Sequence, residues 1–166
     1  ETWTNREFQN AFYISLSNSV GGSVIIDDAI YEGNTHKGGE VDHMTVVPQG
    51  GELCYCGRRG CFDTVCRAGR LTGYTDGSVE EFFRLLEEGD ETAKRLWDEY
   101  LDHLTMAIHN VRMLFDGMVI LGGYVGAYAG RYMDDICRRV DERNPFGDRA
   151  KDYLVECRYK VEASAA

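Results

Sequence analysis

The sequence predicts an α/β domain, and three observations carry that prediction. Aromatic and branched residues open the chain in strand-like runs. A 3.6-residue apolar periodicity is sustained over roughly six turns in the second half. A short, wholly apolar run follows that helix and ends in two glycines, the mark of a buried, parallel strand feeding a turn.

Taken in order, residues 11 to 18 read as the first strand. Gly21 and Gly22 read as a turn, Ser23 to Ile26 as a second strand, and Asp27-Asp28 as a hairpin turn into Ala29-Ile30-Tyr31. Residues 33 to 40 are a glycine-rich loop. A short helix is expected to begin near Asp63. Ser78 followed by Glu80 and Glu81 is an N-cap with acids in the first turn, so a helix is expected from there to Glu88, stopped by Gly89. The long helix carries Ala93, Leu96, Trp97, Tyr100, Leu101, Leu104, Ile108, Val111, Leu114 and Phe115 on one stripe. That stripe reads as core rather than interface, and His103 and His109 read as rim residues rather than ligands. Met118 to Leu121 is the buried strand. Residues 126 to 142 read as one helix with Tyr132, Ile136 and Val140 on a face, and Tyr153 to Tyr159 as a last strand. Glu162 to Ala166 read as the first turn of an unfinished helix, which leads us to expect that the natural protein continues.

Composition bounds the function. The 166 residues are 43% hydrophobic, enough for one domain or a large piece of one. The net charge of −10 repels phosphate backbones, so any DNA contact is expected only through a segment outside this chain. No apolar run approaches the ~20 residues of a membrane span, and no membrane partner is expected.

The richest feature for chemistry is Cys54-Tyr55-Cys56-Gly57-Arg58-Arg59-Gly60-Cys61, with His43 upstream. Three thiols and an imidazole can supply the four ligands of a closed tetrahedral zinc site, and Gly57 and Gly60 let the backbone turn sharply enough to converge them. The competing reading is disulfides. Cys54 and Cys56 are too close to pair comfortably, and Cys66, Cys137 and Cys157 show no framework spacing. With no secretory segment at the start, clustered thiols point to a reducing, cytoplasmic setting and to metal. The expected ligands are His43, Cys54, Cys56 and Cys61.

With these residues in place, the chain resembles the ROK family of repressors, open-reading-frame proteins and sugar kinases. The family's Cys-x-Cys-Gly-x-x-Gly-Cys signature, followed one residue later by an acid, stands as Cys54 to Cys61, Phe62 and Asp63. Its Glu-x-Gly-His stands as Glu40-Val41-Asp42-His43, and its later apolar strand as Val119 to Gly123. The resemblance implies a two-domain, actin-like (ribonuclease H-like) sugar-kinase fold, of which residues 1 to 166 resemble only the second domain, with a structural zinc loop. It implies that Glu40, His43 and Asp63 bind a small-molecule sugar, that Gly21, Gly22, Gly122 and Gly123 line a nucleotide site, and that the protein oligomerises with copies of itself. The Asp63 carboxylate is one methylene shorter than the family's glutamate, and an N-cap for the following helix is an equal and compatible reading.

No Asp-x-Gly-x-Thr phosphate hairpin and no Asn-Asp pair with the family's general base occurs, so this chain alone is expected to have no kinase activity. Ser17-Asn18-Ser19 replaces the Gly-Thr-Gly turn of ATP-using relatives, Asp42 replaces a glycine, and Tyr124 stands where a third glycine is common. This pattern favours the sugar-binding effector domain of a ROK-type transcriptional regulator. The alternative is the C-terminal half of an ATP-dependent hexose or N-acylhexosamine kinase, with ATP and Mg as cofactors.

Overall fold

The structure, a computed structural model, describes residues 10–159; the expected helical turn at Glu162 to Ala166 lies outside the described residues. Its centre is a five-stranded mixed sheet in the order β3-β2-β1-β4-β5. Strand β1 (Ala11–Leu16) pairs antiparallel with β2 (Val20–Ile26), which pairs antiparallel with the short edge strand β3 (Ala29–Ile30). On its other side β1 runs parallel to β4 (Met118–Gly122), and β4 runs parallel to β5 (Leu154–Glu156). All five residues of β4 are buried, as expected of a strand covered on both faces. In β1 burial alternates, with Phe12, Ile14 and Leu16 pointing into the core.

The hairpin departs from the sequence expectation in one respect. The turn is made by Ser17-Asn18-Ser19, and Gly21 and Gly22 lie inside β2. Gly22 is there because another backbone passes over it. A Cβ at that position would lie 2.4 Å from the Gly39 carbonyl oxygen. Gly22 thus marks a close approach between strand and loop, and neither glycine marks a reversal of the chain.

The helices follow their caps and stripes. After α1 (Phe62–Cys66) and α2 (Gly69–Thr72), helix α3 (Val79–Glu88) starts at Ser78, whose hydroxyl accepts from the Glu81 N–H at 3.1 Å, and ends on Gly89 in the left-handed conformation. Helix α4 (Glu91–Leu114) is capped by Asp90, whose carboxylate accepts from the Ala93 N–H at 2.8 Å. Its stripe of Ala93, Trp97, Tyr100, Leu101, Leu104, Ile108 and Val111 is core, while Leu114 at the end is exposed. His103 and His109 are partly exposed at its edge.

The region expected as one helix over 126 to 142 is three pieces: α5 (Gly123–Ala129), a 3₁₀ turn (Gly130–Tyr132) and α6 (Met133–Arg143). Ile136 and Val140 of α6 are fully buried. Arg139 of α6 clamps it to α4 by reaching Asp98 and, at 2.7 Å, Asp102. Tyr153 closes a further short helix, α7 (Ala150–Tyr153), so the last strand is shorter than the sequence suggests. Its apolar alternation could not separate a helix end from a strand start.

Candidate functional site

The cysteine loop is held by backbone rather than by regular elements. An isolated bridge pairs Leu53 with Arg59 and another pairs Thr45 with Cys61. The Cys54 N–H donates to the Arg58 carbonyl, and the Gly57 N–H to the Cys54 carbonyl. Gly57 and Gly60 both have left-handed φ, as the sequence predicts, and a Cβ on Gly60 would fall 1.8 Å from the Val47 oxygen. This knuckle brings His43, Cys54, Cys56 and Cys61 together, with one ligand atom of each within 4.8 Å of all the others.

The cluster could hold a tetrahedral zinc ion. Cys56 and Cys61 place their sulfurs 3.7 Å apart, and the Cys54 sulfur lies 3.8 Å from His43 Nδ1. Zinc–sulfur bonds of about 2.3 Å and zinc–nitrogen bonds of about 2.0 Å require tetrahedral edges of roughly 3.5 to 3.8 Å. No disulfide competes, since all six cysteines are free, and Cys66, Cys137 and Cys157 are buried away from the cluster. The thiols are unequal. Burial, then the neighbouring Cys56 and Cys54, pushes Cys61 up to about 12, whereas the Arg58 backbone N–H lowers Cys56. A divalent cation would offset both the burial and the neighbouring thiols that keep Cys61 protonated.

His43 ends a 3₁₀ turn (Val41–His43) directly after Glu40. The same turn brings ligand atoms of Glu40, Asp42 and His43 within 4.8 Å of one another. Glu40 is exposed and Asp42 is buried. The two His43 nitrogens are therefore divided: Nδ1 faces Cys54, and Nε2 lies 3.5 Å from Asp42 Oδ2. That same oxygen accepts the Tyr55 hydroxyl at 2.6 Å, which holds the Tyr55 phenol well above its ordinary range. The Tyr55 ring leans on the His43 ring, with centroids 4.9 Å apart. Sequence reasoning assigned no role to Tyr55; its place between two ligand cysteines is the only signal that it touches the site.

Asp63 is not an N-cap. Cys61 occupies that position, and Asp63 sits one residue inside α1. Its Oδ1 crosses to the β1–β2 turn, accepting from the Val20 N–H at 2.8 Å and the Ser19 hydroxyl at 2.9 Å. The Ala68 N–H donates to the Ser17 carbonyl at 2.7 Å, so α1 and the residues after it hold this turn at two points.

Gly21 and Gly122 flank Ser15 in register across three strands, and Gly123 opens α5 with left-handed φ. The space beside Gly122 and Gly123 is filled, whereas a Cβ on Gly21 would make only an ordinary contact with Ser15. A Cβ on Gly122 would meet the Tyr13 hydroxyl at 2.3 Å, and one on Gly123 would meet Ser17 Oγ at 2.6 Å. The Ser17 hydroxyl also accepts from the Tyr124 N–H at 3.4 Å.

The family model of the ROK family matches residues 1–155. An N-acetylmannosamine kinase of Yersinia pestis (strain Pestoides F) is 29% identical over 127 residues, covering 73% of this chain and 43% of the relative. The fold matches a ROK hexokinase from Thermus thermophilus with a TM-score of 0.81 at 26% identity, over 96% of this chain and 55% of that one. It also matches a ROK family transcriptional regulator, a homologue of the E. coli MLC protein, with a TM-score of 0.73 at 23% identity, over 89% of this chain and 41% of that one. The chain thus spans about half the length of these relatives. No helix among the described residues is long and apolar enough to cross a membrane.

Proposed function

The chain belongs to the ROK family, and on that premise we propose that it is the sugar-binding effector domain of a ROK-type transcriptional regulator, with a structural zinc in its cysteine loop. The observation that carries the regulator reading is the Ser17-Asn18-Ser19 turn. A backbone that cradles phosphate must be approached closely by its ligand. Here the Ser17 hydroxyl occupies the opening of α5 and the Ser19 hydroxyl is tied to Asp63.

His43, Cys54, Cys56 and Cys61 would hold the zinc, which fixes the loop and draws Nδ1 of His43 to the metal. Glu40 is exposed, and its carboxylate would accept from sugar hydroxyls, while His43 Nε2–H, 3.5 Å from Asp42 and so not committed to it by a formed hydrogen bond, would turn its proton to a sugar hydroxyl when sugar binds. Asp63 spends Oδ1 on the turn, leaving Oδ2 as the atom through which it would meet a hydroxyl. Sugar binding would change DNA affinity by favouring one arrangement of this domain relative to a DNA-binding segment outside the chain. Self-association belongs to this reading as well.

The similarity to an N-acetylmannosamine kinase and a hexokinase favours a second reading: the C-terminal half of an ATP-dependent hexose or N-acylhexosamine kinase. Calorimetric titration of the full-length protein with hexoses, N-acylhexosamines and ATP, beside an assay for sugar-dependent ADP release, separates the two. Sugar binding without ATP turnover, with sugar altering DNA retention, is the expected result. Stoichiometric sugar phosphorylation would establish the kinase reading instead.

A further inference from the structure

We propose that Asp42, held by Tyr55, is a positioning residue that fixes the His43 ring with Nδ1 toward the sulfurs and Nε2–H toward its own carboxylate. Resting on the zinc reading above, the inference adds a carboxylate–histidine pair behind the metal, at a position where the family pattern Glu-x-Gly-His has no side chain at all.

Three features of the site support it. Asp42 is 5% exposed, so its carboxylate is held in place rather than solvated and free to turn away. The Tyr55 hydroxyl bonds to Oδ2, the oxygen that faces His43 Nε2, and so anchors the carboxylate against the imidazole. The Tyr55 ring packs on the imidazole itself and limits its rotation. The Nε2 to Oδ2 separation of 3.5 Å is an electrostatic contact rather than a formed hydrogen bond. A metal on Nδ1 makes the opposite N–H a stronger donor, and a carboxylate there raises the basicity of the ligating nitrogen. Tyr55 belongs to the same sequence motif as the ligands, so one loop supplies both the sulfurs and the clasp on the imidazole.

The test measures zinc affinity by competition with a chromophoric chelator in the full-length protein, for the native chain and for Asp42→Asn, Asp42→Gly and Tyr55→Phe. Tyr55 is 71% exposed, so its variant keeps the fold in any case. Removing such an outer partner typically weakens metal binding by about 10- to 100-fold. We expect that loss for both Asp42 variants, a smaller loss for Tyr55→Phe, and no further loss when Tyr55→Phe is added to Asp42→Asn. Nitrogen-15 spectra of the zinc-loaded imidazole should show the proton of His43 on Nε2. Native protein that takes up no zinc would overturn the metal reading itself. Native protein that binds zinc while the Asp42 variants bind within twofold of it, or a His43 protonated on Nδ1, would overturn the role of Asp42 and leave the metal reading standing.

Discussion

The cysteine loop and the sheet-and-helix core are built on different principles. The core is held by repetition. Every third or fourth residue of α4 and every second residue of β1 is apolar, so many equivalent contacts share the load. The loop between Thr45 and Cys61 has little regular structure and few buried apolar side chains. Its shape rests on three left-handed glycines, Gly50, Gly57 and Gly60, a handful of backbone bonds and the meeting of its three cysteines with His43. The core should therefore degrade gradually under substitution and the loop abruptly.

Cys61→Ser is the sharpest way to break that contrast. Structural zinc sites of this kind contribute about 10–16 kcal/mol of apparent binding energy at neutral pH. We expect elemental analysis to find zinc in the native chain and none in the variant, while the far-ultraviolet dichroism of the helices persists. Acid should act on the same site. In the metal-free protein burial pushes Cys61 up to about 12, so zinc must displace its proton. Affinity then rises with pH, and chelator competition should show faster release at about pH 6 than at about pH 8.

Leu104→Ala tests the other region. Leu104 is 1% exposed, and such a truncation costs about 2–5 kcal/mol. Chemical denaturation should show that loss with zinc content unchanged. Gly60→Ala comes next, because its Cβ would collide with the Val47 carbonyl and its backbone would be left in left-handed strain of about 1–3 kcal/mol. Here we expect zinc retention to fall more than the denaturation midpoint. Asp63→Ala strands the Val20 N–H and should cost about 1–3 kcal/mol. Arg84→Ala is expected to change neither readout, since its partners Glu81 and Glu88 are solvent-exposed ion pairs on α3.

The same contrast explains what was legible in the sequence. Caps and periodicity placed α3 and α4 almost to the residue, because local signals and burial agree there. The convergence of His43, Cys54, Cys56 and Cys61 was legible because a set of thiols and an imidazole able to share one metal ion demands a spacing. Gly22 misled because a glycine required by a neighbouring backbone looks the same in sequence as one required by a turn. The breaks on either side of Gly130–Tyr132 carry no proline, and the apolar face continues through them. Asp63 and Tyr55 act across space, on Val20 and on Asp42, and no local pattern announces a partner 43 or 13 residues away.

The order of strands in the sheet also has a consequence in time. Strand β1 meets β2 through a three-residue turn, but it meets β4 only after about a hundred intervening residues. Closing so long a loop is entropically costly, and parallel pairing is correspondingly slow. The β1–β2 hairpin, clasped by Asp63 and Ala68, can assemble early with its β1 edge unpaired. Until α4 delivers β4, that edge, with Phe12, Ile14 and Leu16 on it, is the stretch of chain open to a wrong partner.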